Sequence, residues 1–148
     1  ATTSGRIELF SQDLQDRFDF GVPRYDPVTP DRGFVLISPS SDKRTNATFG
    51  SAAASQQVEV LDMHPADADR LGLDDGGEVE VWNDRGAVRL RLKISDAVRP
   101  GVLYSPKGTW RDSSPTGLTV NALIPVNTRT DIADGACYNE TFVDVRAV

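Results

Sequence analysis

The chain has 148 residues, 39% of them hydrophobic, and a formal net charge of −6. That length suits one domain with an ordinary core, and no apolar run approaches the roughly 20 residues that span a bilayer. A single cysteine, Cys137, rules out an internal disulfide, and the acidic balance argues against a general nucleic-acid or anionic-membrane surface.

Ala1 to Gly5 is small and polar, with no initiator Met and neither the basic nor the apolar region of a signal peptide. The expectation is a piece of a longer chain. Arg6 to Phe10 alternates and reads as a strand, and Ser11 is placed to cap a short helix through Phe18. Residues 21–30 hold Pro23, Pro27 and Pro30 and read as an extended connection.

From Gly33 onward short strands dominate. Phe34-Val35-Leu36-Ile37 is a continuous apolar run, as expected of a strand buried on both faces. Val58 to Leu61 alternates and gives way at His64-Pro65 to a helix through Leu71, closed by Gly72. Asp74 to Gly77 makes a turn. Its acids suggest calcium only superficially, because the regular alternation of oxygen ligands and the distal Glu are missing. Glu78 to Trp82 is the next alternating strand, and Asn83-Asp84-Arg85-Gly86 is a tight hairpin turn. In the partner strand, Ala87 to Ile94, the apolar side chains face one way and Arg89, Arg91 and Lys93 the other, beside the acids of the preceding strand. Val102 to Tyr104 and Thr141 to Val145 complete the set. Short strands, turn signals and brief helices predict a mainly β protein, a β-barrel with a few small helices. The long crossover helices of a parallel doubly wound sheet are absent from the pattern.

The charge is unevenly placed. Glu59 to Asp84 carries nine acids against one base, Arg70, so this block contributes −8 and the rest of the chain +2. Its alternation with apolar positions reads as a solvated scaffold face. Three polar stretches look different from scaffold: Ser38 to Phe49, Ser105 to Asn121, and Tyr138-Asn139. Their hydroxyls, amides and bases could grip phosphate and a purine-like ring, or could simply make turns. They contain no general acid or nucleophile motif. His64 reads as a cap, Trp82 as packing and Cys137 as a buried thiol rather than a metal ligand. Trp110 fits either packing or a ring contact.

In their order and spacing, several motifs together resemble the C-terminal dinucleotide-binding domain of the molybdopterin oxidoreductases, the family of DMSO reductases, formate dehydrogenases and nitrate reductases. They are Leu36-Ile37-Ser38-Pro39, Arg44 to Phe49, His64 to Ala68, Leu71-Gly72-Leu73, Asn83 to Gly86, Val98 to Val102, Val120 to Leu123, and Gly135 with Tyr138. The resemblance implies a double-psi β-barrel at residues 31–148, preceded by a lead-in and linker, residues 1–30, from an earlier domain. It implies no catalysis by this domain alone. Instead the domain would hold the pterin and guanine dinucleotide parts of a molybdenum or tungsten bis(molybdopterin guanine dinucleotide). The metal's ligand and the remaining domains of the parent oxidoreductase would lie elsewhere. By that resemblance Ser38, Ser40, Arg44, Asn46, Thr48, Asn121 and Tyr138 are cofactor-binding candidates. Asn139 stands where many members have a lysine, and Lys43 and Lys107 could supply the missing charge. The expected partners are the cofactor and the parent's other domains, without nucleic acid or membrane, and the expected location is cytoplasmic unless an export signal lies upstream. A stand-alone barrel serving as a protein-interaction or substrate-recognition adaptor is the alternative. A self-processing decarboxylase on the same barrel ranks last, because Gly50-Ser51 lies in the wrong context for its cleavage.

Overall fold

The computed structural model describes residues 2, 4–25, 27, 29–41, 46–48, 60–114, 116–128, 132 and 135–148. Six strands close into a barrel: β1 (Phe34–Ile37), β2 (Val60–Met63), β3 (Glu78–Asn83), β4 (Gly86–Ile94), β5 (Val102–Tyr104) and β6 (Thr141–Ala147). Around the barrel they run β1-β5-β2-β4-β3-β6. Two neighbouring pairs are parallel, β1 with β5 and β2 with β4; the other four are antiparallel. Exchanging β1–β3 for β4–β6 reproduces both the ring and the sense of every pair. The fold is the double-psi β-barrel, two interlocked halves about a pseudo-twofold axis.

Strand direction then sorts the connections. β1, β3 and β5 run towards one end of the barrel and β2, β4 and β6 return from it. The connections 38–59, 84–85 and 105–140 therefore all meet at that end, while 64–77 and 95–101 lie at the other. Symmetry relates 38–59 to the much shorter 95–101, and 105–140 to 64–77. The long polar connections are thus collected on one end, and the acids Asp67, Asp69, Asp74 and Asp75 sit at the opposite one.

The core follows strand periodicity. Leu36, Leu61, Met63, Leu92, Leu103 and Leu123 are fully buried, with Val79, Val81, Val88 and Val143 around them. Truncating any of the six to Ala should cost about 2–5 kcal/mol. β1 is not covered on both faces as its apolar run suggests: Phe34 and Leu36 are buried, whereas Val35 and Ile37 are half-buried on the outer face. A barrel has only one interior, and a long apolar run does not reveal which positions share it.

The helix α1 (Gln12–Phe18) begins at Ser11, whose hydroxyl accepts from the Leu14 amide at 3.3 Å. The helix α2 (Pro65–Leu71) begins at His64, whose Nδ1 accepts from the Ala66 amide at 3.1 Å, and ends at Gly72 with φ +64°. Asp67 on α2 is buried and bridges two elements. It accepts from the Gly101 amide at 2.7 Å, before β5, and from Arg70 at 3.1 Å. Asp75 accepts from the Ile94 amide at 2.7 Å and so closes the end of β4. Arg6 to Phe10 does not form the expected strand. A closed ring leaves no free edge to pair with it. The expected strand residues Val58 and Glu59 lie outside the described residues, and β2 runs on to Met63.

Cross-strand charge pairs form as expected, two of them between directly opposed residues, Asp62 with Lys93 and Glu80 with Arg146, and one across a diagonal. Glu78 pairs with Arg89 at 3.5 Å across a diagonal, Glu80 turns to Arg146 on β6, and Asp62 takes Lys93 at 3.3 Å. Trp82, expected as plain packing, is half-buried between two guanidinium groups, Arg32 at 4.9 Å and Arg146 at 5.8 Å from its ring. Cys137 is half-buried rather than fully buried, because it sits in the loop entering β6 and not on an inward strand position. Among the described residues no helix is long and apolar enough to cross a membrane, and no cluster of metal-ligating side chains occurs.

Candidate functional site

The parallel pairing of β1 with β5 continues beyond the strands and zips their exit loops together. The Ser105 amide donates to the Ile37 carbonyl at 3.1 Å, and the Lys107 amide to the Pro39 carbonyl at 3.0 Å. Farther out, the Trp110 indole N–H donates to the Ala47 carbonyl at 2.8 Å, leaving its ring 46% exposed. Gly108 holds φ +98° with its backbone against the Asn46 carbonyl, so any Cβ there would collide with that oxygen. Asn46 itself adopts φ +51°, the left-handed region that Asn tolerates. Both bends are specific requirements of the loop-to-loop contact.

A third piece is fastened beneath them. The 3₁₀ turn Val120–Leu123 packs on the β3–β4 hairpin, with the Ala122 carbonyl 3.3 Å from where a Cβ on Gly86 would stand. Buried Asn83 donates its side-chain amide to the carbonyls of Leu123 at 2.9 Å and Phe142 at 3.2 Å, and accepts from the Arg85 amide at 2.9 Å. One side chain thus links the hairpin, the 3₁₀ turn and the start of β6. Thr141, which opens β6 opposite Leu36 of β1, donates its hydroxyl to the Tyr138 carbonyl at 2.9 Å. A narrow crevice between Arg89, Ser105, Thr109, Ser114, Thr119 and Val120 separates the second loop from the barrel wall.

The structure therefore brings the two main polar loops together directly and places the Tyr138-Asn139 entrance at the same barrel end. Ser38 is half-buried; its hydroxyl is inaccessible and has no hydrogen-bond partner among the described residues. Ser40, Asn46 and Thr48 are exposed, and Lys107 is half-buried. Asn121, Tyr138 and Asn139 are exposed, Tyr138 at 60%. Lys43 and Arg44 lie outside the described residues. The hydroxyl of Ser41 is also buried and unpartnered among the described residues, and it was not singled out by sequence. Alternation carried on from β1 would turn Ser40 inward, yet Ser40 is exposed and the hydroxyl of Ser41 is buried. Asn83 was read only as a turn residue, because its partners lie 40 and 59 positions away.

Two buried hydroxyls without partners are costly unless something else satisfies them. At the same end of the barrel lie loop backbone groups, amides, the half-buried Lys107 and the exposed Trp110 and Tyr138. That donor set suits an anionic, ring-bearing ligand laid across the loops. Among the described residues it holds no cluster of metal-ligating side chains.

Residues 34–142 match the family described as the molydopterin dinucleotide binding domain, and the chain belongs to that family. It is 32% identical over 153 residues to "Probable oxidoreductase YoaE" of Bacillus subtilis, a match that takes in 99% of this chain and 22% of that protein. It is 29% identical to the dimethyl sulfoxide reductase DmsA of Escherichia coli, over 75% of this chain and 16% of DmsA. Acetylene hydratase from Pelobacter acetylenicus superposes with a TM-score of 0.71 at 19% identity, over 99% of this chain and 24% of that one. The chain spans about a fifth of the length of such curated relatives.

Proposed function

We propose that the loop-bearing end of the barrel closes over the dinucleotide part of a bis(molybdopterin guanine dinucleotide) carrying molybdenum or tungsten, within a longer oxidoreductase. The observation that carries this reading is the zipped pair of loops presenting the unpartnered hydroxyls of Ser38 and Ser41. In this reading those hydroxyls and the neighbouring amides hold phosphate oxygens, Lys107 adds charge, and Asn121, Trp110 and Tyr138 meet the ring systems. Ser40, Lys43, Arg44, Asn46, Thr48 and Asn139 complete the set proposed by resemblance. When bound, the cofactor supplies the redox chemistry, and the protein supplies orientation, electrostatics and exclusion of water. Nothing in the barrel requires it to be catalytic alone.

The test is the full-length protein purified with its cofactor. Metal analysis distinguishes molybdenum from tungsten, and acid-released nucleotide identifies the guanine form. Full-length protein devoid of pterin and nucleotide would defeat the reading and return the adaptor alternative.

A further inference from the structure

Residues 7–25 have a defined shape of their own and almost nothing beneath them. The Ser11 amide donates to the Gly21 carbonyl at 2.8 Å, and the Gly21 amide to Gln15 Oε1 at 3.0 Å. The segment thereby closes into a loop around α1. Asp19 ends the helix in the left-handed region at φ +54°, and the Phe10 ring lies where a side chain on Gly21 would need to be. Yet no residue of α1 is buried. Within these nineteen residues Ile7, Leu9, Phe10, Phe18, Val22 and Tyr25 are all exposed, Ile7 at 90% and Tyr25 at 86%. Only five other large apolar side chains are exposed among the described residues, and they are spread over the remainder of the chain.

A seven-residue helix is marginal in water without tertiary support, and such a concentration of exposed apolar side chains marks an interaction surface. Among the described residues the barrel does not supply the support. The arm is nevertheless part of what the relatives share: the Bacillus subtilis match and the acetylene hydratase superposition each take in 99% of this chain, leaving more than three quarters of the other protein outside.

We infer that residues 7–25 form a docking arm whose apolar side chains, led by Ile7, Leu9 and Phe18, bury themselves against an apolar surface on another part of the same, longer polypeptide. This rests on the reading of the chain as one domain of such a protein. Beyond the arm, just before β1, Arg32 pairs with Asp144 at 3.3 Å and lies over the Trp82 ring. Docking would therefore hold the loop-bearing barrel in place from its N-terminal side.

The test uses the full-length enzyme. Arg17 and Arg24 provide trypsin sites within the arm. Cleavage there should be at least about tenfold slower in the wild type than in a Leu9→Asp/Phe18→Asp variant. Equal, rapid cleavage in both would overturn the inference. If the variant does not fold, hydrogen exchange of the Leu14 to Phe18 amides in the wild-type enzyme decides: protection of about a hundredfold or more supports docking, and near-unprotected rates overturn it. Protection that disappears on dilution to monomers would assign the arm to a second copy and also overturn it. Cofactor content measured on the same sample keeps the two readings separate, because an unprotected arm in cofactor-loaded enzyme defeats this inference alone.

Discussion

Asn83, at the tip of β3, donates to the carbonyl of Leu123 across 40 residues of chain, and this bond holds the 3₁₀ turn carrying Asn121 against the hairpin. The same amide reaches Phe142, so replacing it with an apolar side chain strands two carbonyls. Asn83→Leu should destabilise by about 1–3 kcal/mol, and Asn83→Asp, which swaps the donor for an acceptor, by at least as much. Thermal unfolding of the complete protein measures the loss. Cofactor content should fall with it, since the Asn121 turn loses its anchor.

Ser38 and Ser41 predict the opposite separation. Their hydroxyls are buried and unpartnered, so the Ser38→Ala/Ser41→Ala variant should unfold no earlier than wild type when cofactor-free, because nothing is broken. In the loaded enzyme it should retain severalfold less nucleotide after gel filtration. Reduced stability of the cofactor-free variant would show that the hydroxyls have a structural role instead.

Charge should matter locally although the chain is acidic overall. Neutralising Lys43 and Lys107 to Gln is expected to weaken cofactor retention, and more so at low ionic strength, where unscreened attraction is strongest. Nucleotide content measured across a salt series checks both parts. Unchanged content at every salt concentration would remove the two lysines from the site.

Gly108 carries a backbone requirement that can be tested without touching a ligand group. Its φ of +98° and its contact with the Asn46 carbonyl leave no room for a methyl group. Gly108→Ala should therefore push the two loops apart, at a cost of about 1–3 kcal/mol, and expose Trp110 further. Red-shifted tryptophan fluorescence, set against a Trp110→Phe background, would report the separation.

Arg32 and Asp144 offer a double-mutant cycle. Asp144 accepts from both Arg32 at 3.3 Å and the Gly33 amide at 3.1 Å, and Arg32 also stacks on Trp82. The pair is partly exposed, so its coupling should lie within about 1 kcal/mol, while Arg32→Ala alone should cost more than that through the lost ring contact. Chemical unfolding of the two single variants and the double variant separates the terms.

Local signals in the sequence were informative wherever the physics is local. The turn at Asn83 to Gly86, the helix entered at His64-Pro65 and closed at Gly72, and the alternation of β3 and β4 all depend on neighbours within a few residues, and each is present as read. Pairing is another matter. Nothing in Phe34 to Ile37 reveals a parallel partner at Val102, and an alternating Arg6 to Phe10 looks like a strand until the ring is seen to be closed. In the candidate site the loops were recognisable by composition. Which loop hydroxyls are buried could not be read locally, and the importance of Asn83 depended on two carbonyls far along the chain.

Ring closure also determines how this domain can meet other molecules. Each strand of the ring has a neighbour on both sides along at least part of its length, so the described wall offers little free edge to an incoming segment. Closure of this kind works against recognition by added strands and the fibrous aggregation that follows from it. Whatever it binds must be held by side chains and loop backbone. Specificity can therefore be retuned at one end through a few loop residues while the hydrogen-bonded wall stays unchanged.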